Sequence, residues 1–395
     1  MADVSLTLAN HVLLNHGQNS NVVFSPISIE TVLSMVAAGS SGATLDQFLS
    51  FLKARDLSNL KSRYSSGIRV FDKSSFSGDL SLFFANGVWL DESLSIKPSF
   101  LEVAETVYKA VPGQVDFKIQ PEAARKLVNS WVEDKTRGLI KDILSPGSIK
   151  NDTGLILANA LYFKGAWTRV FRAYGGSRAH HDFHLLNGNS IKVPFMTRSG
   201  EEYISAYDGF KVLKLPYKKS GHPVCNNPSF SMYIFLPDAK DGLQALVEKA
   251  GSESGFLDRH IPREEVCTGK FLIPKFKFEY NIEATQVLKN LGLDLPFNER
   301  EAELTEMVVS DPTKYPPQRL YISNIIQKSL IEVDEEGTEA AAATVAVVCR
   351  YLTSCQEPII KTIDFVADHP FLFVIRENST GIVLFIGQVL NPLTT

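Results

Sequence analysis

Three stretches of this chain carry residue types that could do chemistry. His180, Asp182 and His184 alternate, so on a strand they would share one face and could bind a metal ion. No distant fourth ligand accompanies them, and a partly exposed polar strand face accounts for the pattern without a metal. Gly39-Ser-Ser-Gly42 has two serines but lacks the G-x-S-x-G spacing of a nucleophile elbow. Asp368-His369 has no nucleophile beside it, and a triad drawn from distant positions would meet only in the fold. Phosphate loops and dinucleotide fingerprints are absent. Cys225, Cys267, Cys349 and Cys355 form no CxxC pair, and four cysteines among 395 residues make no disulfide scaffold. Neither an enzyme nor a bound metal or other cofactor is expected.

Composition narrows the remaining classes. With 44% hydrophobic and 21% charged residues the chain can bury a sizeable core. No Pro/Gly/Ser-rich linker, low-complexity block or fixed-period repeat divides it, so one domain over residues 1–395 is expected. A formal net charge of -4 argues against a nucleic-acid partner. Lys53, Arg55, Lys61, Arg63 and Arg69 gather in one segment that could meet a polyanion, but so loose a spacing fits a solvated helical face better. The start, Met-Ala-Asp, has no basic n-region, and its apolar residues are interrupted by Asn10, His11, Asn15 and His16, so no secretory signal is read. A monomer in the cytosol or nucleus, without a membrane partner, is expected; export would need a route without a signal peptide.

Periodicity supplies the elements. Val4, Leu8, Val12 and Leu13 fit an amphipathic opening helix, and Val22–Phe24 a short buried strand. Ser25 or Ser28 can cap the helix that follows, predicted over 29–38 and so apolar that it belongs inside the core. Residues 82–90 read as a strand. Pro121 opens a helix with Ala124, Leu127, Val128, Trp131 and Val132 on its inner face and Gly138 as its stop. Residues 154–163 are apolar on both faces, as a central strand requires, except for Asn159, whose amide needs partners. Strands are also predicted over 210–217, 230–236, 269–280 with an edge or bulge at Pro274, and 320–333; 371–375 and 382–390 form a buried hairpin. Helices crowd the first part and strands the second, which points to an α+β fold with large, mainly antiparallel sheets.

One stretch resists this treatment. From Glu335 to Leu352 a glutamate and four alanines suggest a helix, while the following Val-Ala-Val-Val suggests a strand.

Five motifs together decide what that stretch resembles. Asn21-Val-Val-Phe-Ser-Pro-Ile-Ser-Ile29, Asn129-Ser-Trp-Val132 with Thr136-Arg-Gly138, Asn159-Ala-Leu-Tyr-Phe-Lys-Gly-Ala-Trp167, Glu335-Glu-Gly-Thr-Glu-Ala-Ala-Ala-Ala343 and Asp368-His-Pro-Phe-Leu-Phe373 follow one another as in serpins. The chain resembles a serpin from end to end, and Phe365-Val-Ala-Asp-His-Pro-Phe371 is most similar to the plant branch. The resemblance implies three sheets wrapped by eight or nine helices, and an exposed reactive-centre loop over 335–363. It further implies an irreversible bait: a target serine or cysteine endopeptidase attacks the loop, and the cleaved loop enters the main sheet while the acyl-enzyme is still attached.

Particular residues carry implied roles. Glu335, Gly337, Thr338, Glu339, Ala340, Ala341, Ala342, Ala343 and Thr344 match the hinge, with Gly337 as its flexible point. Once inserted, Thr338, Ala340, Ala342, Thr344, Ala346 and Val348 would face the core, and all six are small or medium. A non-inhibitory serpin, serving in storage, as a chaperone or as a ligand carrier, would place bulky, charged or proline residues there. Ser25, Ser28, Asn159 and Gln327 match the polar cluster through which the sheet opens and would give Asn159 its partners. Gln327 stands where the family commonly has histidine, so a pH dependence due to that histidine does not carry over. Trp167 and Lys275 match the region where the loop enters, with Lys275 paired to Glu335. Counting from Gly337 by the family spacing puts the cleaved bond at Tyr351–Leu352, for a chymotrypsin-like target. Cleavage at Arg350–Tyr351 is the alternative, for a trypsin-like or arginine-directed cysteine protease. Cys349 and Cys355 are read as incidental thiols.

Overall fold

The computed structural model describes residues 2–72, 80–176, 180–219, 228–309, 319–338 and 362–394. It opens with α1 (Ala2–Asn15), β1 (Val22–Phe24), α2 (Pro26–Ala38), α3 (Gly42–Phe51) and α4 (Leu57–Asp72). Ser25 is extended and its Oγ accepts from the Ser28 N–H, so it caps α2, with Pro26 in the first turn. The helix therefore starts three residues before Ile29. It is buried along its length, as its apolar run requires, yet it also carries Glu30 into the core. That carboxyl accepts from Ser5 Oγ and Tyr64 Oη, each at 2.7 Å.

Next come β2 (Leu80–Asp91), α5 (Pro98–Thr106), β3 (Val111–Val115), α6 (Pro121–Lys135) and β4 (Leu155–Ala166). Beyond α6 both Arg137 and Gly138 are left-handed, with φ of 55° and 82°, a turn that glycine favours. The inner face of α6 is narrower than its pattern predicts: Ala124, Val128 and Val132 are buried, but Leu127 is 49% exposed. Then follow β5 (Arg172–Ala173), β6 (His180–His184), β7 (Ser190–Thr197), β8 (Glu201–Tyr207), β9 (Phe210–Pro216), β10 (Phe230–Pro237), α7 (Leu243–Ser252) and α8 (Phe256–Arg259). The last elements are β11 (Glu265–Pro274), β12 (Phe276–Glu283), α9 (Ala284–Asn290), β13 (Asn324–Val333), β14 (Gly337–Thr338), β15 (Ile363–Val366), β16 (Phe371–Glu377) and β17 (Val383–Val389). The single strand expected over 269–280 is thus two, in different sheets. The chain changes sheets at Pro274, where the ladder loses an N–H, and Lys275 stands at the corner.

Six strands form one sheet in the order β12-β13-β14-β4-β2-β3. The other eleven share one hydrogen-bonded network. Its first part runs β1-β17-β16-β10-β9-β8, and the path continues through β11, β7 and β5, with β15 paired to β11 and β6 to β7. β11 is the join, because residues 265–267 pair with β8 while later residues pair with β15 and β7. Of the three sheets expected, two are therefore continuous through β11. Nine α-helices surround the sheets among the described residues. The architecture is α+β and mainly antiparallel, with parallel pairs among the described residues only at β2–β3, β4–β13 and β11–β15.

β4 separates two cores by its alternation. Leu155, Leu157 and Leu161 join the core that includes α1, α2, β16 and β17. Ile156, Ala158 and Ala160 join the smaller core under α6, with Val128, Val132 and Ile326. Asn159 falls on the first side, among apolar neighbours, facing the head of α2.

Candidate functional site at the opening of the six-stranded sheet

β4 and β13 run parallel from Ile156 opposite Asn324 to Leu161 opposite Ser329, and there their ladder stops. Above it β14 stands between them, antiparallel to both, with Gly337 opposite Ala166 and Thr338 opposite Gly165 and Val333. Between these levels, residues 162–164 of β4 pair outward with β2, and 330–332 of β13 pair outward with β12. Among the described residues these two stretches are not paired with each other.

Three side-chain amides mark the closed part. Asn86 on β2, Asn159 on β4 and Gln327 on β13 stand in one register row, each about 1% exposed. Gln327 ties the row to α2: its Oε1 accepts from the Ser25 N–H at 2.8 Å, and its Nε2 donates to Ser25 O at 3.0 Å and to Asn159 Oδ1 at 3.5 Å. Ser25, Asn159 and Gln327 come together, but not through the expected atoms. Ser25 meets Gln327 through its backbone because its hydroxyl caps the helix. Ser28 Oγ and Asn159 Nδ2 have no protein partner among the described residues, so the cluster does not supply all that Asn159 can bond. Asn86 continues the row, donating to Tyr108 O at 3.5 Å, and Tyr108 Oη shares a 2.8 Å bond with Ser34 Oγ.

At the open end, a tight turn leads from β13 into β14. The Asp334 N–H donates to Gly337 O at 3.0 Å, while Asp334 Oδ1 accepts from the N–H groups of Glu336 at 2.9 Å and Gly337 at 3.1 Å. An aspartate bonding the backbone two and three residues on is an Asx-type turn. Two buried aromatic residues beyond β4 hold this turn. Trp167 donates from Nε1 to Asp334 O at 2.9 Å and from its backbone to Glu336 O at 2.8 Å; the Phe171 N–H donates to Glu335 O at 2.8 Å. Lys275 Nζ lies 2.8 Å from Glu335 Oε2, the ion pair that the resemblance implied.

Gly337 serves closeness as well as any flexibility. A Cβ there would lie 2.2 Å from Gly165 O and 2.8 Å from Ala166 Cα, so a side chain could not occupy this place beside β4. Thr338 is 2% exposed, and its hydroxyl shares a 2.7 Å bond with Tyr217 Oη. Tyr217 stacks on Trp167, with centroids 4.6 Å apart and planes at 15°, and burial pushes its phenol well above the ordinary range.

Glu339, Ala340, Ala341, Ala342, Ala343, Thr344, Arg350, Tyr351 and Leu352 lie outside the described residues, as do Cys225, Cys349 and Cys355. Elsewhere, Asp182 pairs with Lys192 at 3.0 Å and His184 Nδ1 lies 2.8 Å from Ser190 Oγ. Among the described residues no three potential ligands gather for a metal. His369 spends one ring nitrogen on Asp368 and the other on Pro237 O. Arg63 closes the end of α3 by donating to Leu52 O and Lys53 O. No helix among the described residues is long and apolar enough to cross a membrane.

Of the site residues that escaped the sequence reading, Asp334 had a local signal, an aspartate three residues before glycine; Asn86 had the same signal as Asn159, a lone amide in an apolar strand. Phe171 and Tyr217 had none.

A family model described as Serpin (serine protease inhibitor) matches residues 1–392. Serpin-ZX of Arabidopsis thaliana is 50% identical over 393 residues, covering 99% of this chain and 97% of that protein. Serpin-ZXA of Oryza sativa subsp. japonica is 48% identical over 379 residues, covering 95% and 91%. Among solved structures, Arabidopsis AtSerpin1 in its native stressed conformation superposes with a TM-score of 0.87 at 48% identity, covering 99% of this chain and 97% of that one.

Proposed function

The chain belongs to the serpin family, and from that membership we propose that it is an irreversible suicide-substrate inhibitor of endopeptidases and not an enzyme. The target's nucleophile attacks the bait carbonyl, the peptide bond breaks, and the new amino end leaves while the acyl group stays on the protease. The freed segment then enters the six-stranded sheet before water can release the acyl-enzyme.

The observation that carries this proposal is the agreement of two registers. Each residue past Thr338 moves one step down β4 from Gly165 and one step down β13 from Val333. Six steps on, Thr344 meets Asn159 on one side and Gln327 on the other, the two residues now opposite each other. An entering strand that extended β14 would therefore take the place of the present β4–β13 ladder without any shift in register. Ten steps on, Val348 meets Leu155, the first residue of β4. The sheet has room for a strand of that length, and the bait bonds at Tyr351–Leu352 and Arg350–Tyr351 follow just beyond it. At roughly 1 kcal/mol net per hydrogen bond, insertion would release on the order of 10 kcal/mol, and the intact form would be held by kinetics.

In this proposal residues 1–395 act as one domain and 335–363 as its loop, with Glu335, Gly337 and Thr338 as the hinge beside Trp167 and Lys275. Ser25, Asn159 and Gln327 hold the sheet shut, with Ser28 beside them in the cap of α2. A chymotrypsin-like protease is the first target class, for Tyr351; an arginine-directed protease is the second, for Arg350. The site of action would be cytosol or nucleus.

A panel of serine and cysteine proteases run on denaturing gels tests the function. A covalent complex with at least one protease, and a rise in thermal stability after loop cleavage, are expected. No complex with any of them and no rise on cleavage would reject inhibition in favour of a storage, chaperone or carrier role. Mass spectrometry of the complex identifies the bond: a remnant ending at Arg350 would displace Tyr351.

A further inference from the structure

Trp167 and Phe171 can hold the turn before β14 only if the short segment after β4 is itself held. Its fastening is a buried ion pair. Arg198, just past β7, donates from Nε and Nη2 to the two carboxylate oxygens of Glu202 on β8, both at 2.6 Å. The side chains are 8% and 3% exposed. The remaining arm, Nη1, donates to Arg169 O, within the segment in question. The face of the same guanidinium lies over the Phe171 ring, 4.2 Å from its centroid, and Phe171 stacks on Phe271 at 5.9 Å and 13°. Arg169 returns to the far side, with Nη1 3.6 Å from Glu202 Oε1 and hydrogen bonds to Glu201 O and Ser199 O.

An apolar pair of equal volume could fill this space at no loss of stability, because the desolvation of buried charges offsets most of their attraction. What apolar residues could not do is fix direction. A planar fork bound to one carboxylate leaves its third arm and its π face in set positions, and these touch residues 169 and 171. We propose that Arg198 and Glu202 are positioning residues for the loop, orienting the Trp167 and Phe171 N–H groups that hold Glu336 and Glu335. The location follows from geometry; the consequence rests on the inhibitory reading. Gly337 and Thr338 are the first rungs on which an entering strand would build. With the segment loose these rungs are less populated, insertion slows relative to hydrolysis of the acyl-enzyme, and more inhibitor is cleaved without trapping.

Glu202→Gln keeps the shape and removes the charge. Hydrogen exchange at the Trp167 and Phe171 amides of the full chain is expected to quicken by roughly ten-fold, with β16 amides unchanged. The number of inhibitor molecules consumed per protease trapped rises several-fold, while the rate of acylation stays the same. The double variant R198M/E202M separates positioning from packing: thermal stability returns, but the two amides still exchange fast. Unchanged amides in E202Q, or amides restored in R198M/E202M, would overturn the proposal. Should the unmodified protein trap no protease, the inhibitory function fails, and the amide exchange still decides whether the pair positions the turn.

Discussion

Two buried strand pairs in this molecule are closed by opposite means. β16 and β17 pair antiparallel from Phe371–Val389 onward, every residue of both is buried, and the Phe373 ring sits where Gly387 leaves room for it. β4 and β13 pair parallel for six residues only, and the row that closes them is Asn86, Asn159 and Gln327. Apolar closure is strong and has no cheap alternative, since opening it exposes hydrocarbon to water. Amide closure is different: each bond is worth about 0.5–1.5 kcal/mol net, and another polar strand can replace it. A sheet that must admit a strand would have the second kind of joint at its centre and the first kind behind it.

Paired substitutions expose this contrast. Phe373→Ala empties a core position and is expected to lower the unfolding free energy by about 3–5 kcal/mol in urea titrations. Gln327→Ala strips partners from Ser25 and Asn159 and is expected to cost about 1–3 kcal/mol. The order reverses for opening. A synthetic peptide with the sequence of residues 337–348 should anneal faster to Gln327→Ala than to the unmodified chain, and no faster to Phe373→Ala. Equal annealing rates in both variants would break the comparison.

Much of this architecture is legible from local pattern, and the exceptions share a cause. α2, β4 and the β16–β17 hairpin could be read because long apolar runs leave few alternatives. The division of 269–280 could not, because one proline in an alternating pattern does not say whether a strand bulges or changes sheet. Family likeness singled out Ser25, Asn159, Gln327, Trp167, Lys275 and Glu335 for the site. It did not say that Ser25 would contribute its backbone, since that depends on its hydroxyl being spent on α2. Nor could it find the fastening of Phe171, where Arg198 and Glu202 look like ordinary turn charges until the fold buries them.

One buried carboxyl gives a smaller effect, visible in pH. Burial raises the pKa of Glu30, and the hydrogen bonds from Tyr64 and Ser5 only partly oppose this. A carboxyl whose pKa is higher folded than unfolded favours the fold below its unfolded value, and that advantage is lost as pH rises through the folded value. Glu30→Gln removes the loss, so thermal melts of variant and parent should diverge in the variant's favour as pH rises from about 4. Gln327 adds no such slope at the amide row. Gln327→His would, with the opposite sign: burial depresses an imidazole pKa, so stability present above about pH 6.5 would be lost on acidification.

The smallest effect is expected from the ion pair that is easiest to see. Lys275 and Glu335 approach to 2.8 Å, but their side chains are 36% and 23% exposed, against 8% and 3% for Arg198 and Glu202. Water screens the outer pair, and holding a long lysine side chain still costs entropy, so Lys275→Ala should lower stability by at most about 1 kcal/mol. Glu335 remains in place without it, because Phe171 holds its carbonyl and Asp334 holds the rest of the turn. The Lys275→Ala difference should also vanish near 1 M salt, where the screening length is about 3 Å, whereas the amide exchange caused by Glu202→Gln should persist. If Lys275→Ala instead loosened the Phe171 amide as much as Glu202→Gln does, the turn would be held from its solvent side and the buried pair would be only its support.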